Sequence, residues 1–239
     1  MKLASHLKTF LTVNPLLWIL LLAAGDAVAQ FEGIVESKNL TTNQTGSSEE
    51  FIMTIMLRNN MARVEIPTVD GHPGTTMIYR NDKHIVWMLN VDEKTYSEIP
   101  HGEEAQPIQT PDEGKYIVVR SGKTRKILGY RCEQAFFKNG DEETEIWGTR
   151  SLAHVAKAIA KEFGEESPNE AATWTNKLSE MGLFPLVSTT KIEGNIVESQ
   201  AVTKIEQKRL PQDLFEIPSG FTKENVGKML ERIQKSEKK

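Results

Sequence analysis

The chain has a single cysteine, Cys132, in 239 residues. No internal disulfide can form, so folding must rest on a buried core, which a chain of this size can supply. Cys132 lies in Tyr130 to Phe136, which reads as a strand, and is best taken as a small apolar residue packed in the sheet. Metal-binding spacing is also missing. His72, His84, His101 and His154 are scattered, with no His-x-His or His-x₃-His pair to seed a zinc site. There is no Gly-x-Ser-x-Gly elbow and no glycine-rich phosphate loop. The paired acids Glu103-Glu104 and Glu142-Glu143 read as solvated loop charges. Enzyme, cofactor and metal are therefore not expected: catalytic residues none, cofactors none.

Long apolar runs are scarce as well. The longest begins at Pro15 and includes Leu16, Leu17, Trp18, Ile19, Leu20, Leu21 and Leu22. It falls short of the roughly 20 residues that span a bilayer. Lys2 and Lys8 precede it, and Ala27-Val28-Ala29 follows, just before Gln30. A positive start, an apolar centre and a small-x-small end make residues 1–29 a secretory signal peptide. A lipid anchor on the new N-terminus would need a cysteine there, and position 30 is Gln. The expectation is an exported protein, periplasmic or secreted, without stable membrane insertion after cleavage.

Excess positive charge is absent too. The whole chain carries −4, and losing Lys2, Lys8 and Asp26 leaves −5 on 210 residues. Nucleic-acid binding draws its affinity from Lys and Arg on phosphates, so no nucleic-acid partner is expected. Asn39-Leu40-Thr41 and Asn43-Gln44-Thr45 fit the glycosylation sequon, but read as polar loop residues of a bacterial protein.

What the chain does have is short alternating segments separated by turns. Phe31 to Lys38 alternates and meets a polar stretch, Asn39 to Ser48, read as a loop. Phe51 to Leu57 and Met61 to Val69 flank Asn59-Asn60, a hairpin signal. Thr75 to Tyr79, His84 to Val91 and Thr95 to Ile99 continue an antiparallel meander. Residues 101–114, with Pro107, Pro111 and Gly114, read as a long loop. Lys115 to Val119, Arg125 to Leu128, Tyr130 to Lys138 and Thr144 to Trp147 resume the sheet, with Asn139-Gly140 as a turn. The period then changes. Leu152, Val155, Ala156, Ile159, Ala160 and Phe163 form one helical face, and Ser167-Pro168-Asn169-Glu170 caps a second helix that carries Trp174. Leu186 to Ile192 and Ile196 to Ile205 return to strand. Leu210 to Phe221 is irregular, and Thr222 to Lys235 reads as a charged terminal helix.

Several strands are apolar on both faces. Phe51, Met53, Ile55 and Leu57 oppose Ile52, Thr54 and Met56. Ile85, Trp87, Leu89 and Val91 oppose Val86 and Met88. A surface sheet would alternate cleanly, so both faces here are expected to be covered, one by helices and one around a cavity. Methionine suits adaptable apolar surfaces, and Met53, Met56, Met61, Met77 and Met88 all fall in the meander.

Certain segments look familiar together. Phe31-Glu32-Gly33-Ile34, Asp92-Glu93-Lys94-Thr95-Tyr96-Ser97-Glu98-Ile99, Ile127-Leu128-Gly129-Tyr130-Arg131-Cys132-Glu133, Glu145-Ile146-Trp147 and Leu214-Phe215-Glu216-Ile217-Pro218-Ser219-Gly220-Phe221 resemble an exported bacterial family defined only as a domain of unknown function, over most of residues 31–222. The strand order also looks like the periplasmic lipoprotein carriers of the LolA and LolB type. That resemblance implies an incomplete β-barrel with a helical lid, here residues 151–181, over a cavity for acyl chains.

The expectation is thus an α+β, mostly β, antiparallel incomplete barrel of about ten strands with an inserted helix pair. It occupies residues 30–222, with a charged tail at 223–239. Its function would be non-enzymatic binding of a lipid or lipidated polypeptide. Met53, Ile55, Leu57, Met77, Trp87, Leu89 and Trp174 are the cavity-lining candidates. The alternative is a structural or protein-interaction module using strand edges and the charged C-terminus.

Overall fold

The computed structural model describes residues 31–42, 46–68, 74–100, 117–163, 178 and 180–228. The expected signal peptide at 1–29, the expected loop at 101–114, Trp174 and the residues beyond 228 lie outside them. So does the expected second helix, apart from Leu178 and Glu180, which are both helical.

Two meanders build the chain. The first holds β1 (Gly33–Thr42), β2 (Ser48–Arg58), β3 (Met61–Ile66), β4 (Thr75–Arg80), β5 (Ile85–Asn90) and β6 (Thr95–Pro100). The second holds β7 (Ile117–Ile127), β8 (Tyr130–Asn139), β9 (Glu142–Thr149), β10 (Phe184–Ile192) and β11 (Asn195–Gln207). A short β12 (Thr222–Lys223) ends the series. All twelve form one sheet in the order β12-β6-β5-β4-β3-β2-β1-β11-β10-β9-β8-β7. The sheet is open: β12 and β7 are its two ends, and no pairing among the described residues joins them.

Several expectations need correction. The count is twelve strands rather than about ten, in one open sheet that does not close into a barrel; of the two expected helices one is described, and the second lies largely outside the described residues. The first part of the polar stretch after Lys38, through Thr42, is strand. Asn39 is buried in β1, where its amide donates to the Ser37 carbonyl at 3.1 Å and to the Ser37 hydroxyl at 3.0 Å. A polar side chain satisfied locally can continue a buried alternation. The two segments around residue 120 are a single strand, β7, interrupted by a bulge between Arg120 and Thr124. Its turn-forming Gly122 (φ +74) is the extra-residue device that mimics a loop in sequence. Thr222 and Lys223 pair with β6 in parallel rather than starting a helix.

The helix α1 (Ala153–Phe163) follows a 3₁₀ turn at Arg150–Leu152 and packs on β2, β3 and β10. Its Val155 and Ala158 join Phe31, Val35, Leu57, Ala62, Phe184, Leu186 and Val202 in the main core. Glu162 fixes its far end. This carboxylate is fully buried, which charged groups rarely are unless satisfied. It accepts from the Asn60 backbone N–H at 3.0 Å and from the Asn81 amide at 2.9 Å. The same amide donates to the Glu162 carbonyl at 2.9 Å. Asn60 and Asn81 sit in the β2–β3 and β4–β5 turns, so one side chain ties the helix to two hairpins.

The opposite face of β2–β5 is covered by a strap, residues 208–221. Phe215 and Leu210 are buried there with Met61, Ile78, Trp87 and Leu89. Three arginines hold the strap by its carbonyls. Arg58 donates to Leu210 O at 2.7 Å, Arg63 to Leu214 O at 2.9 Å and Arg80 to Phe215 O at 3.2 Å. Asp82 grips Arg80 through two hydrogen bonds of 2.8 and 2.7 Å. The guanidinium in turn holds the Asp82 carboxyl below its ordinary value of 3.8.

Two outcomes follow. Glu162→Ala removes the carboxylate that accepts from the Asn60 N–H and the Asn81 amide, two hydrogen bonds that together should cost about 1–3 kcal/mol in urea unfolding; an unchanged midpoint would mean that the helix is held otherwise. For Asp82 the folded-state pKa is lowered, so its stabilisation is present above 3.8 and vanishes as pH falls through the folded value. Because Asp82 is partly exposed, Asp82→Asn should cost no more than about 1 kcal/mol at neutral pH. The gap between variant and parent should close in acid, below pH 3.8.

Candidate functional site

Alternation and register place every strand side chain on the helix face or the strap face. On the helix face, Leu57, Ala62, Tyr79, Val86 and Ile99 lie directly opposite one another across β2 to β6. The next row runs Val35, Ile55, Val64, Met77, Met88 and Ser97. Rows two residues apart on a strand are separated by about 7 Å. Met53, opposite Ser37, begins a third row.

From Met53 onward in β2, and across β3 to β6, this face carries no Asp, Glu, Lys or Arg. The strap face of the same strands carries Arg58, Arg63, Glu65, Arg80 and Glu98. The two faces of one set of strands thus differ in chemistry. Tyr79 is the one ionisable group in these rows, and burial pushes its phenol pKa up, so it stays neutral. Its hydroxyl points to the Met77 sulfur at 3.8 Å.

The rows are not equally covered. Leu57, Ala62, Val64 and Val86 are buried, and the first two belong to the core under α1. Met53, Ile55, Met77, Tyr79, Met88 and Ile99 are only half-buried. The result is an uncharged apolar patch beside the helix, rich in flexible thioethers that can repack around a guest.

Of the residues read from sequence, the structure brings Met53, Ile55, Leu57 and Met77 onto this face. It places Trp87 and Leu89 on the other face, beneath the strap. There Trp87 has Arg80 at 5.5 Å and Lys83 at 4.9 Å over its ring, and its indole N–H donates to Glu98 at 3.2 Å. Trp174 lies outside the described residues. Tyr79, Met88 and Ile99 were not singled out. The signal that finds them is register: once Met77 is on the helix face, alternation adds Tyr79, and the tight β4–β5 turn adds Met88.

Other candidate chemistry stays dispersed. His84 is exposed in a turn, while His154 lies on α1 with its ring 6.1 Å from Phe31; His72 and His101 lie outside the described residues. Among the described residues no group of His, Cys, Asp and Glu is arranged to hold a metal. Cys132 is fully buried, and burial raises its thiol pKa, which disfavours the reactive thiolate. No helix among the described residues is long and apolar enough to cross a membrane.

No curated protein matches the chain significantly. Among solved structures it is similar to an uncharacterized conserved protein from Thermus thermophilus, with 10% identity, 81% of this chain and 90% of that chain covered, and a TM-score of 0.49. It is also similar to the LolA superfamily protein NE2245 from Nitrosomonas europaea, at 9% identity, 79% and 91% coverage, and a TM-score of 0.35. A DUF1329 family protein from Desulfovibrio piger ATCC 29098 matches at 8% identity, 80% and 92% coverage, and a TM-score of 0.31. At such distances function must be argued from the residues themselves. The family described as "Domain of unknown function (DUF4412)" matches residues 31–221, and with most of its length covered the chain belongs to that family.

Proposed function

We propose that the protein binds an acyl chain, free or attached to a lipid or lipidated polypeptide, on the helix face of β2–β6. The observation that carries this reading is an uncharged face on which Ile55, Met77 and Met88 stay half-buried although Val64 and Ser97 of the same row are buried, with half-buried Met53, Tyr79 and Ile99 around them. A sheet face that needed only water would carry charged side chains, and this one carries none. One that needed only a core would be fully buried, as Leu57 and Ala62 are. A face between these extremes suits an apolar guest that comes and goes. Ligand pockets have this character, apolar with few polar groups.

Residues 30–222 then act as one domain, exported to the periplasm or beyond, that holds and passes a ligand without changing it. The uncharged face offers no general acid or base other than a phenol held neutral. An acyl chain needs none.

Purification of the protein from its own host, followed by mass spectrometry of the solvent extract, should recover an acyl species near one per protein. Met77→Glu would place a carboxylate in the path of the chain and should weaken retention of a fluorescent long-chain fatty acid by about tenfold or more. Met77→Leu should retain it. A ligand-free native protein that also ignores the offered fatty acid would rule the reading out.

A further inference from the structure

The two ends of the sheet are finished differently. At one end β6 is covered by the two residues of β12. At the other lies β7, eleven residues long, with every residue but Ile127 exposed. Among the described residues its only strand partner is β8, so its outer N–H and C=O groups have no ladder partner there. Long open edges are templates for a further strand.

The side chains along this edge are unusual in two ways. Ile117, Val118 and Val119 are 65%, 37% and 43% exposed. They point alternately to both faces, so neither face hides them. The remainder is strongly basic: Arg120, Lys123, Arg125 and Lys126, with no acidic residue from Ile117 to Ile127. Arg125 is occupied, since its guanidinium stacks over Trp147 at 4.1 Å. The others form no ion pair among the described residues. Lys126 also sits directly opposite Arg131 of β8. A like-charge pair directly across a ladder is destabilising, and an anion between the two would relieve it.

A basic edge discourages pairing with its own copy, because two β7 strands side by side would bring their cations together. It does not discourage an acidic strand. We infer that β7 is a docking edge for an extended, acidic segment of a partner protein. The segment adds to the sheet as a thirteenth strand, with apolar residues beside Ile117–Val119 and carboxylates beside Arg120, Lys123 and Lys126. Main-chain bonds would supply the affinity and the charges the selectivity, the usual division in strand addition. This site is separate from the apolar patch on β2–β6 and stands without it.

The test uses the full mature protein and fluorescence anisotropy with labelled peptides of β7's length. The probe carries Val and Ile at one end and Glu at alternate positions of the other. One control replaces alternate residues by Pro, which cannot donate to a ladder; a second replaces Glu by Lys. The acidic probe should bind saturably, both controls should bind at least about tenfold more weakly, and added salt should weaken the probe. Arg120→Glu with Lys126→Glu should abolish binding in a folded protein whose thermal midpoint is no lower than the parent's, because both side chains are exposed and Lys126→Glu faces Arg131. Equal binding of the Pro control would overturn strand addition, and undiminished binding by the folded double variant would overturn the location. Failure of the acidic probe to bind would overturn the whole inference, as would capture of phosphatidylglycerol vesicles in its place.

Discussion

The structure depends on one pairing, that of β1 with β11. β1 also pairs with β2, so it is the seam between the two meanders. Gly33 shows how tight the seam is: a Cβ there would lie 2.1 Å from the Glu206 carbonyl oxygen. Apart from the two-residue contact of β12 with β6, every other ladder links strands consecutive in sequence. The seam joins the start of the domain to its end, and its loop-closure entropy must be met before the sheet is continuous. The bulge between Glu36 and Ser37 falls in this ladder. Because of it, Ile205 and Val202 both reach the helix face and the core under α1.

With the seam in place, the two faces of β2–β5 are free to differ. One receives a helix tied by a buried carboxylate to two turns, and the other a strap held by three arginines through its backbone. Both fastenings use polar groups, which localise an element, while apolar residues supply the area. This division fits a helix face with a half-covered margin: α1 is anchored at the turns, and the core beneath it takes in Val35, Leu57 and Ala62, with Ile55 and Tyr79 packed against it. Met77 and Met88, farther along the row of Val35 and Ile55, stay half-buried.

Much of this was legible in the sequence. Strand positions followed from alternation and from turn residues such as Asn59-Asn60 and Asn139-Gly140, and the helix from its apolar period. The double-faced strands correctly signalled two coverings. The identity of the second covering was hidden, because the Leu210–Phe221 segment has no period of its own and acts through carbonyls that every residue possesses. Trp87 and Leu89 were read toward a cavity for the same reason: alternation separates faces but does not say which element lies over each. Asn39 and Gly122 misled in the opposite direction, since residues that favour turns also serve buried hydrogen bonds and bulges. Glu162 gave no warning at all; a glutamate in a charged helix is indistinguishable from a solvated one until its turn partners are brought near.

The strap has a consequence for the order of events in synthesis. It is made late and covers strands that are made early. Until residue 215 exists, Ile78, Trp87 and Leu89 lack the cover that Phe215 gives them, and Arg58, Arg63 and Arg80 lack the carbonyls they hold. The first half of the chain therefore emerges before it can be finished, and the final stretch is what commits it. A chain cut short before Leu210 would lose few residues and yet leave an entire face of its oldest strands open to aggregation or to a chaperone.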